Sequence, residues 1–249
     1  MPRLISYNIQ YCIGLEGKTR DYFKVWRLLR EKKNTRENII EFLKQHKPDL
    51  VALVEVDFGS VRTKRQNQAQ IVAKALNLPF ILSKVRYQKK LIGRVFNHAP
   101  ILARQGTAVL SKHEIHGRIH WFKRGIKRLV LEANIYIPKK VSIFVVHLSL
   151  TKKVRAKQLH ELAHIVAEKK TPSLVVGDFN TAASYELRHF LRKTGFIMHP
   201  AEPSFPAFRP KRALDYALSS PNILIKKHVL LPFNGSDHLP LLVDFEMKK

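Results

Sequence analysis

Polar side chains suited to acid–base or phosphate chemistry stand at the ends of apolar runs in this chain. The clearest example is SLVVGDFNT at 173–181, where an apolar run leads directly into Asp178 and Asn180. Comparable runs carry the following residues at or near their ends: Asn8, Glu55, His147, Asp215, Asp237 and His238. Taken singly, each has an ordinary explanation, such as a turn, a strand end or a hydrogen-bonded core histidine. Their chemistry therefore depends on whether the fold brings them together.

As one cluster, these residues suit the binding of a divalent cation and of phosphate. Buried carboxylates need a cation or a histidine partner, because an unpaired buried charge costs several kcal/mol. Oxygen ligands favour a hard divalent cation, and Mg²⁺ is the usual choice where phosphate also binds, with Mn²⁺ as the alternative. Histidine and amide N–H groups can donate to phosphate oxygens. A zinc site at His160 and His164, spaced i and i+4, is the weaker reading, since no third ligand is evident.

The elements that would position these residues are short strands interspersed with helices. Strands are predicted at 4–9, 50–56, 80–82, 107–110, 129–137, 141–150, 174–176, 214–218, 225–231 and 239–245. Helices are predicted from Asn34 or Thr35 to before Pro48, and at 67–76, 154–169 and 184–193. The stretch 84–106 lacks periodicity and is predicted to be a long loop. The fold class is therefore α/β (α+β), as one domain over 1–249: a four-layer αββα sandwich of two mixed β-sheets flanked by helices.

The charge of the chain predicts a polyanionic partner. Lys and Arg total 45 against 19 Asp and Glu, which gives a net charge of +26. Within 84–128 there are twelve Lys or Arg and one acid, Glu114, so a basic face is expected there. Nucleic acid is the expected partner, with an anionic membrane surface or a general Lys/Arg bias as alternatives. Four aromatic residues in this stretch could stack on bases or pack in the core: Tyr87, Phe96, Trp121 and Phe122.

The sequence favours a cytoplasmic protein. MPRLISYNIQ lacks the apolar centre of a signal peptide, and no window approaches 18 apolar residues. The single cysteine, Cys12, excludes an internal disulfide and fits a reducing compartment. A monomer is expected, and no protein partner is predicted.

Several motifs, in this order and spacing, resemble the endonuclease/exonuclease/phosphatase superfamily, the DNase I-like fold shared by exonuclease III and the neutral sphingomyelinases. They are SYNIQ, PDLVALVEVD, GTAVLS, VVHLSL, VVGDFNT, LDYALSS and GSDHLPLLVDF, and they span 4–245. The resemblance implies a divalent-metal-dependent phosphoesterase, with a nuclease acting on DNA or RNA as the leading expectation. A phosphatase or sphingomyelinase-like hydrolase of a lipid or small phosphoester is the alternative, and a binding module without chemistry is a third.

The resemblance implies two groups of site residues, the first of which would hold the metal. Glu55 is expected to be the direct ligand, with Asn8 beside it and Asp237 as a further carboxylate on the metal side.

The second group would carry out the reaction. His238 is expected to be the catalytic histidine, oriented by Asp215, and Asp178 is expected to align or deprotonate the attacking water. Asn180 and His147 are expected to bind the substrate as donors to phosphate oxygens.

Two departures from the family pattern bear on the reaction. Val54 stands where Gln often precedes the metal-ligand glutamate. The abasic-site branch usually has Lys shortly after that glutamate and a Tyr-bearing motif later, whereas this chain has Val56, Asp57 and then His147. These departures argue against abasic-site repair.

Overall fold

In a computed structural model the chain forms two six-stranded β-sheets with helices on their outer faces. The structure describes residues 1–18, 31–86, 101–182, 184–200 and 202–248. The strands are β1 (Arg3–Asn8), β2 (Leu50–Asp57), β3 (Phe80–Val85), β4 (Gln105–Ser111), β5 (His116–Trp121), β6 (Leu129–Tyr136), β7 (Lys140–His147), β8 (Ser173–Asp178), β9 (Ile197–Met198), β10 (Asp215–Ser219), β11 (Ile223–Leu230) and β12 (Leu241–Met247). The helices are α1 (Thr35–His46), α2 (Gln68–Leu76), α3 (Lys152–Ala167) and α4 (Tyr185–Thr194), and short 3-10 turns cover Gln10–Cys12, Val61–Thr63 and Leu102–Arg104.

Both sheets are mixed, as predicted. The first has the strand order β11-β12-β1-β2-β4-β3 and the second β5-β6-β7-β8-β10-β9. β1 runs parallel to β2 and β7 parallel to β8, while the other neighbours are antiparallel. One apolar core fills the space between the sheets, a second lies under α1 and α2, and a third lies under α3 and α4. The four-layer sandwich is therefore confirmed.

β8 shows why polar residues collect at strand ends. Leu174 and Val176 pack between the sheets, whereas Val175 packs against the helices, and all three are fully buried. A strand covered on both faces has no wet side, so an ionisable side chain is best accommodated where the strand ends. Asp178 occupies that end, and Phe179 after it is buried in the helix-side core.

Several element boundaries differ from the sequence prediction. The pattern misses β5 because most of its side chains are exposed, and it misses β9 because that strand has only two residues. β7 ends at His147 rather than at 150, and α3 begins at Lys152 rather than at 154. The predicted loop is shortened by β3 and β4 at its two ends, and 87–100 lie outside the described residues.

Two of the four aromatic residues in the basic stretch 84–128 lie in the described part of the chain, and both pack in the core. Phe122 is fully buried under α3, and Trp121 packs against the core between the sheets, so core packing is the correct reading for both. Tyr87 and Phe96 lie outside the described residues. Among the described helices, none is long and apolar enough to span a membrane.

Candidate active site

Strand register in the second sheet places three of the predicted residues side by side. His147 is the last residue of β7 and Asp178 the last of β8, and the two pair directly because these strands are parallel. Asp215 is the first residue of antiparallel β10 and pairs with Asp178 from the other side. All three side chains are buried.

Gly177 allows β8 to end in this way. Its φ is +130°, and a Cβ there would lie 2.0 Å from the carbonyl oxygen of Val146 on β7. Only glycine fits so close an approach of two backbones.

Beyond Asp178 the chain turns, and Asn180 adopts φ +51° while its backbone N–H donates to Asp178 Oδ1 at 2.9 Å. The Asn180 side chain donates from Nδ2 to the carbonyl oxygen of Leu148 at 2.9 Å, which fixes its position.

Glu55 reaches the site through an irregularity in β2. The pairing of β2 with β4 shifts between Val54 and Val56, so Glu55 is the extra residue of a β-bulge, with φ +56°. Bulges re-aim side chains, and left-handed backbone is uncommon at residues other than glycine. Oε1 of Glu55 lies 3.8 Å from Nε2 of His147, so the bulge joins the first sheet to the second.

Asp178 is the centre of the cluster. Its Oδ2 lies 3.2 Å from Nε2 of His147 and 3.8 Å from Nε2 of His238, and it accepts a 3.3 Å hydrogen bond from Asn8 Nδ2. Burial alone would raise the pKa of Asp178, but His238 and His147 outweigh burial and lower it. Asp178 is therefore ionised at neutral pH.

His238 is held by a second carboxylate. Its Nδ1 lies 2.8 Å from Oδ2 of Asp215, and its backbone N–H donates to Ser236 Oγ at 3.2 Å. Ser236 in turn donates to the carbonyl oxygen of Asn8 at 2.6 Å, which anchors this loop to β1. Burial lowers the pKa of His238, but Asp215 and Asp178 outweigh burial and raise it to about 10. The imidazole is thus protonated at neutral pH.

Two basic residues in the site were not among the predicted ones: Arg86 is buried and Lys127 is partly buried. Arg86 Nη2 donates to Nδ1 of His147 at 3.2 Å. Lys127 Nζ contacts Nε2 of the same ring and lies 3.9 Å from Oε1 of Glu55. The basic composition of 84–128 was the signal for them, but it could not identify which residues turn inward.

These neighbours set the protonation of His147. Burial and the charge of Lys127 lower the pKa of His147 to about 4, so the ring is neutral at pH 7. Arg86 can only donate, so Nδ1 accepts from it, and we assign the proton of the neutral ring to Nε2. This N–H is directed to Asp178 Oδ2 at 3.2 Å rather than to Lys127 Nζ, which contacts the same nitrogen.

The metal-side carboxylates fit a divalent cation. Asp237 is buried, and its Oδ1 lies 3.3 Å from Ser236 Oγ. Burial, with the charges of Glu55 and Asp178, raises the pKa of Asp237 to about 7 although His238 opposes this. A cation would neutralise the excess negative charge, and carboxylate and amide oxygens are the ligands Mg²⁺ takes. Glu55, Asp237 and Asn8 are thus suitable ligands.

Two other groups of potential ligands compare less well with that set. Potential ligand atoms of Asp178, Asp215 and His238 lie within 4.8 Å of one another, but Asp215 already binds His238 Nδ1. On α3, Nε2 of His164 lies 3.2 Å from Nε2 of His160 and 3.0 Å from Lys193 Nζ, a cation that would repel a bound metal ion. The second arrangement does not favour zinc.

Comparison with known proteins identifies the class. The chain belongs to the Endonuclease/Exonuclease/phosphatase family, whose model matches residues 5–238. Members of this family hydrolyse phosphoesters. No curated protein sequence matches the chain.

Solved structures share the fold at low sequence identity. An endonuclease/exonuclease/phosphatase from Beutenbergia cavernae is 17% identical, with a TM-score of 0.73, over 99% of this chain and 72% of that one. A Bacteroides thetaiotaomicron mannosyl-6-phosphatase is 14% identical, with a TM-score of 0.74, over 99% and 100%. The human Nocturnin catalytic domain with bound sulfate anion is 18% identical, with a TM-score of 0.70, over 99% and 93%.

Proposed function

We propose that this protein is a divalent-metal-dependent phosphodiesterase that cleaves DNA or RNA. The observation that carries the proposal is the ionised carboxylate of Asp178, held within 4 Å of both His147 and His238. An anionic base beside a neutral and a protonated histidine suits the attack of water on a phosphodiester. The net charge of +26 supports a nucleic-acid substrate.

Asp178 would orient the attacking water and accept its proton. Asn8 and the Asn180 backbone hold the two oxygens of this carboxylate, so its direction is fixed before substrate binds. Preorganised groups of this kind avoid the cost of reorganisation during the reaction.

His238 would supply a proton to the reaction. Asp215 holds Nδ1, which leaves the protonated Nε2 to donate to a phosphate oxygen or to the leaving oxygen. Asp215 thus positions the ring and stabilises its charge.

Charge on the phosphate oxygens would be met by donors from the second sheet and its loops. His147 offers Nε2–H, Lys127 offers its ammonium group, and Asn180 keeps one amide N–H beyond the bond to Leu148. When bound by Glu55, Asp237 and Asn8, a divalent cation would neutralise further charge on these oxygens.

The alternative substrate is a lipid or small phosphoester. One structural relative is a mannosyl-6-phosphatase, and Ile126 is 59% exposed within the basic segment that also carries Lys127. An exposed apolar residue among basic ones would suit an anionic membrane surface. We also propose, from the sequence alone, that the protein is cytoplasmic and monomeric.

A substrate panel tests the proposal. Plasmid DNA, single-stranded DNA, RNA, a chromogenic phosphodiester, a sugar phosphate and sphingomyelin vesicles would each be assayed with Mg²⁺, with Mn²⁺ and with EDTA. We expect metal-dependent cleavage of nucleic acid, lost in Asp178→Asn and in His238→Asn but kept in Glu246→Gln, a partly exposed acid on β12. Activity that persists in EDTA, or in both site variants, would refute the assignment. Turnover of the vesicles or the sugar phosphate alone would favour the alternative.

A further inference from the structure

A cavity of about 770 Å³ lies between the start of α1 and the 3-10 turn Val61–Thr63. Its described lining includes five basic residues: Lys32, Lys33, Arg36, Arg62 and Lys64. The turns Gln10–Cys12 and Val61–Thr63 follow β1 and β2, the strands that carry Asn8 and Glu55. The cavity therefore flanks the candidate active site at the same edge of the first sheet.

Arg62 is the most buried basic residue of this cavity. It is 7% exposed, and its Nε and Nη1 have no hydrogen-bond partner among the described residues. Its guanidinium lies 4.5 Å from the ring centre of Tyr11 and 3.9 Å, at Nε, from Oδ2 of Asp57. The oxygens of Asp57 already accept from Ser60, at 2.7 Å from its N–H and 2.5 Å from its Oγ. Arg62 thus places a positive charge with two unpaired N–H groups at the wall of the cavity, which favours an anion there.

The start of α1 adds a second, independent feature. This 12-residue helix has Asn34 as its N-cap, with φ +64° and no capping hydrogen bond from the side chain. The N–H of Thr35, the first of the helix, donates to the carbonyl oxygen of Lys32 at 3.1 Å. The other N–H groups of the first turn lack intrahelical partners and carry partial positive charge, which favours an anion.

The two acids of the cavity do not cancel its charge. Glu31 lies 3.5 Å from Arg36 Nη1 and accepts from Gln68 Nε2 at 3.3 Å, and Glu37 lies 3.2 Å from Arg36 Nη2. Arg36 is therefore the residue that pairs with both acids. In the described part of the chain, the three lysines of the cavity form no ion pair, so the lining remains positively charged.

We infer that this cavity binds a phosphate of a nucleic-acid strand whose scissile phosphodiester lies at Asp178. The inference rests on the proposed function and extends it, because it assigns a second binding position to the same substrate. A single-phosphate substrate would not reach both places, whereas a strand carries a phosphate at every nucleotide.

Binding of a labelled single strand of about 12 nucleotides tests the inference, with EDTA present so that the strand stays intact. The variant Lys32→Gln/Lys33→Gln/Lys64→Gln removes three charges from the cavity. The control Lys44→Gln/Lys74→Gln/Lys112→Gln removes three exposed charges near the opposite ends of α1, α2 and β4. Arg62→Gln, checked for folding by thermal melting, tests the buried guanidinium separately.

We expect the cavity variant to bind several-fold more weakly than the control. The slope of log K against log salt should also become shallower, by about 0.7 for each phosphate that the variant no longer neutralises. Arg62→Gln should weaken binding in the same direction. Equal weakening in the cavity and control variants, with a wild type that cleaves the strand in Mg²⁺, would overturn this inference and leave the proposed function standing. A wild type that neither binds nor cleaves any strand would overturn the proposed function itself.

Discussion

Oδ2 of Asp215 lies 2.8 Å from Nδ1 of His238, and both side chains are buried. This hydrogen bond helps to keep the imidazole protonated, since Asp215 and Asp178 overcome burial and raise the pKa of His238 to about 10. We expect Asp215→Asn to lower kcat by roughly two to four orders of magnitude, because the amide supplies no charge and can favour the wrong tautomer.

The pH dependence separates this role from a general loss of structure. Activity that needs protonated His238 falls as pH rises through the pKa of that ring, so the alkaline limb of kcat should move to lower pH in Asp215→Asn. Glu246→Gln, which removes a carboxylate outside the site, should leave the limb in place. An unchanged limb and a normal kcat in Asp215→Asn would contradict the assignment.

Gly177 and Gly195 offer a matched test of the backbone at the end of β8. Both have positive φ, but a Cβ at Gly177 would meet the Val146 carbonyl oxygen at 2.0 Å, whereas a Cβ at Gly195 would meet nothing within 4 Å. We expect Gly177→Ala to destabilise folding by at least about 3 kcal/mol and Gly195→Ala by about 1 kcal/mol. Urea unfolding measures both free energies. Equal destabilisation would show that the close approach of β7 to β8 is not what requires glycine at position 177.

The site could be predicted from the sequence where local pattern and strand register agree. The apolar run before Asp178 identified a buried strand, and its parallel pairing with β7 then brings His147 alongside. The bulge at Glu55 had no local signal, because it arises from the pairing of β2 with β4. Lys127 could not be identified either, since charge composition does not show which basic side chain turns inward.

Lys127 should affect metal and substrate in opposite directions. Its ammonium lies 3.9 Å from Oε1 of Glu55, the expected metal ligand, and contacts His147. We expect Lys127→Met to tighten Mg²⁺ binding several-fold, because a competing cation is removed, and to raise KM for the oligonucleotide, because a donor to the phosphate is removed. Calorimetric titration with Mg²⁺ and steady-state kinetics measure the two effects. Arg128→Met, one residue further along, is the control for removal of a charge from this segment.

The opposing signs make this experiment decisive. Simple loss of folding would weaken both metal and substrate binding. Weaker Mg²⁺ binding in a folded Lys127→Met protein would show that the lysine does not compete for Glu55, and an unchanged KM would show that it does not contact the substrate.

Burial of His228 on β11 should make the free energy of unfolding decrease in acid. Its Nε2 is buried without a hydrogen-bond partner among the described residues, and its ring centre lies 5.8 Å from that of His199. Burial, with the charge of His199, lowers the pKa of His228 to about 4, below its ordinary value of 6.5. The unfolded chain therefore binds the proton more readily than the folded protein. The stability that depends on a neutral His228 is complete above pH 6.5 and is lost as pH falls from 6.5 through 4. Because the ring is partly exposed, we expect a loss of about 1–2 kcal/mol.

Replacement by a residue that does not titrate isolates this effect from other groups that titrate in the same range. In urea unfolding at a series of pH values, His228→Gln should lose less stability than the wild type between pH 6.5 and 4. His116→Gln, which removes an exposed histidine from β5, should follow the wild-type curve. If His228→Gln and the wild type lose stability in parallel, His228 is protonated as readily in the folded protein as in the unfolded chain, and its burial does not oppose the charge.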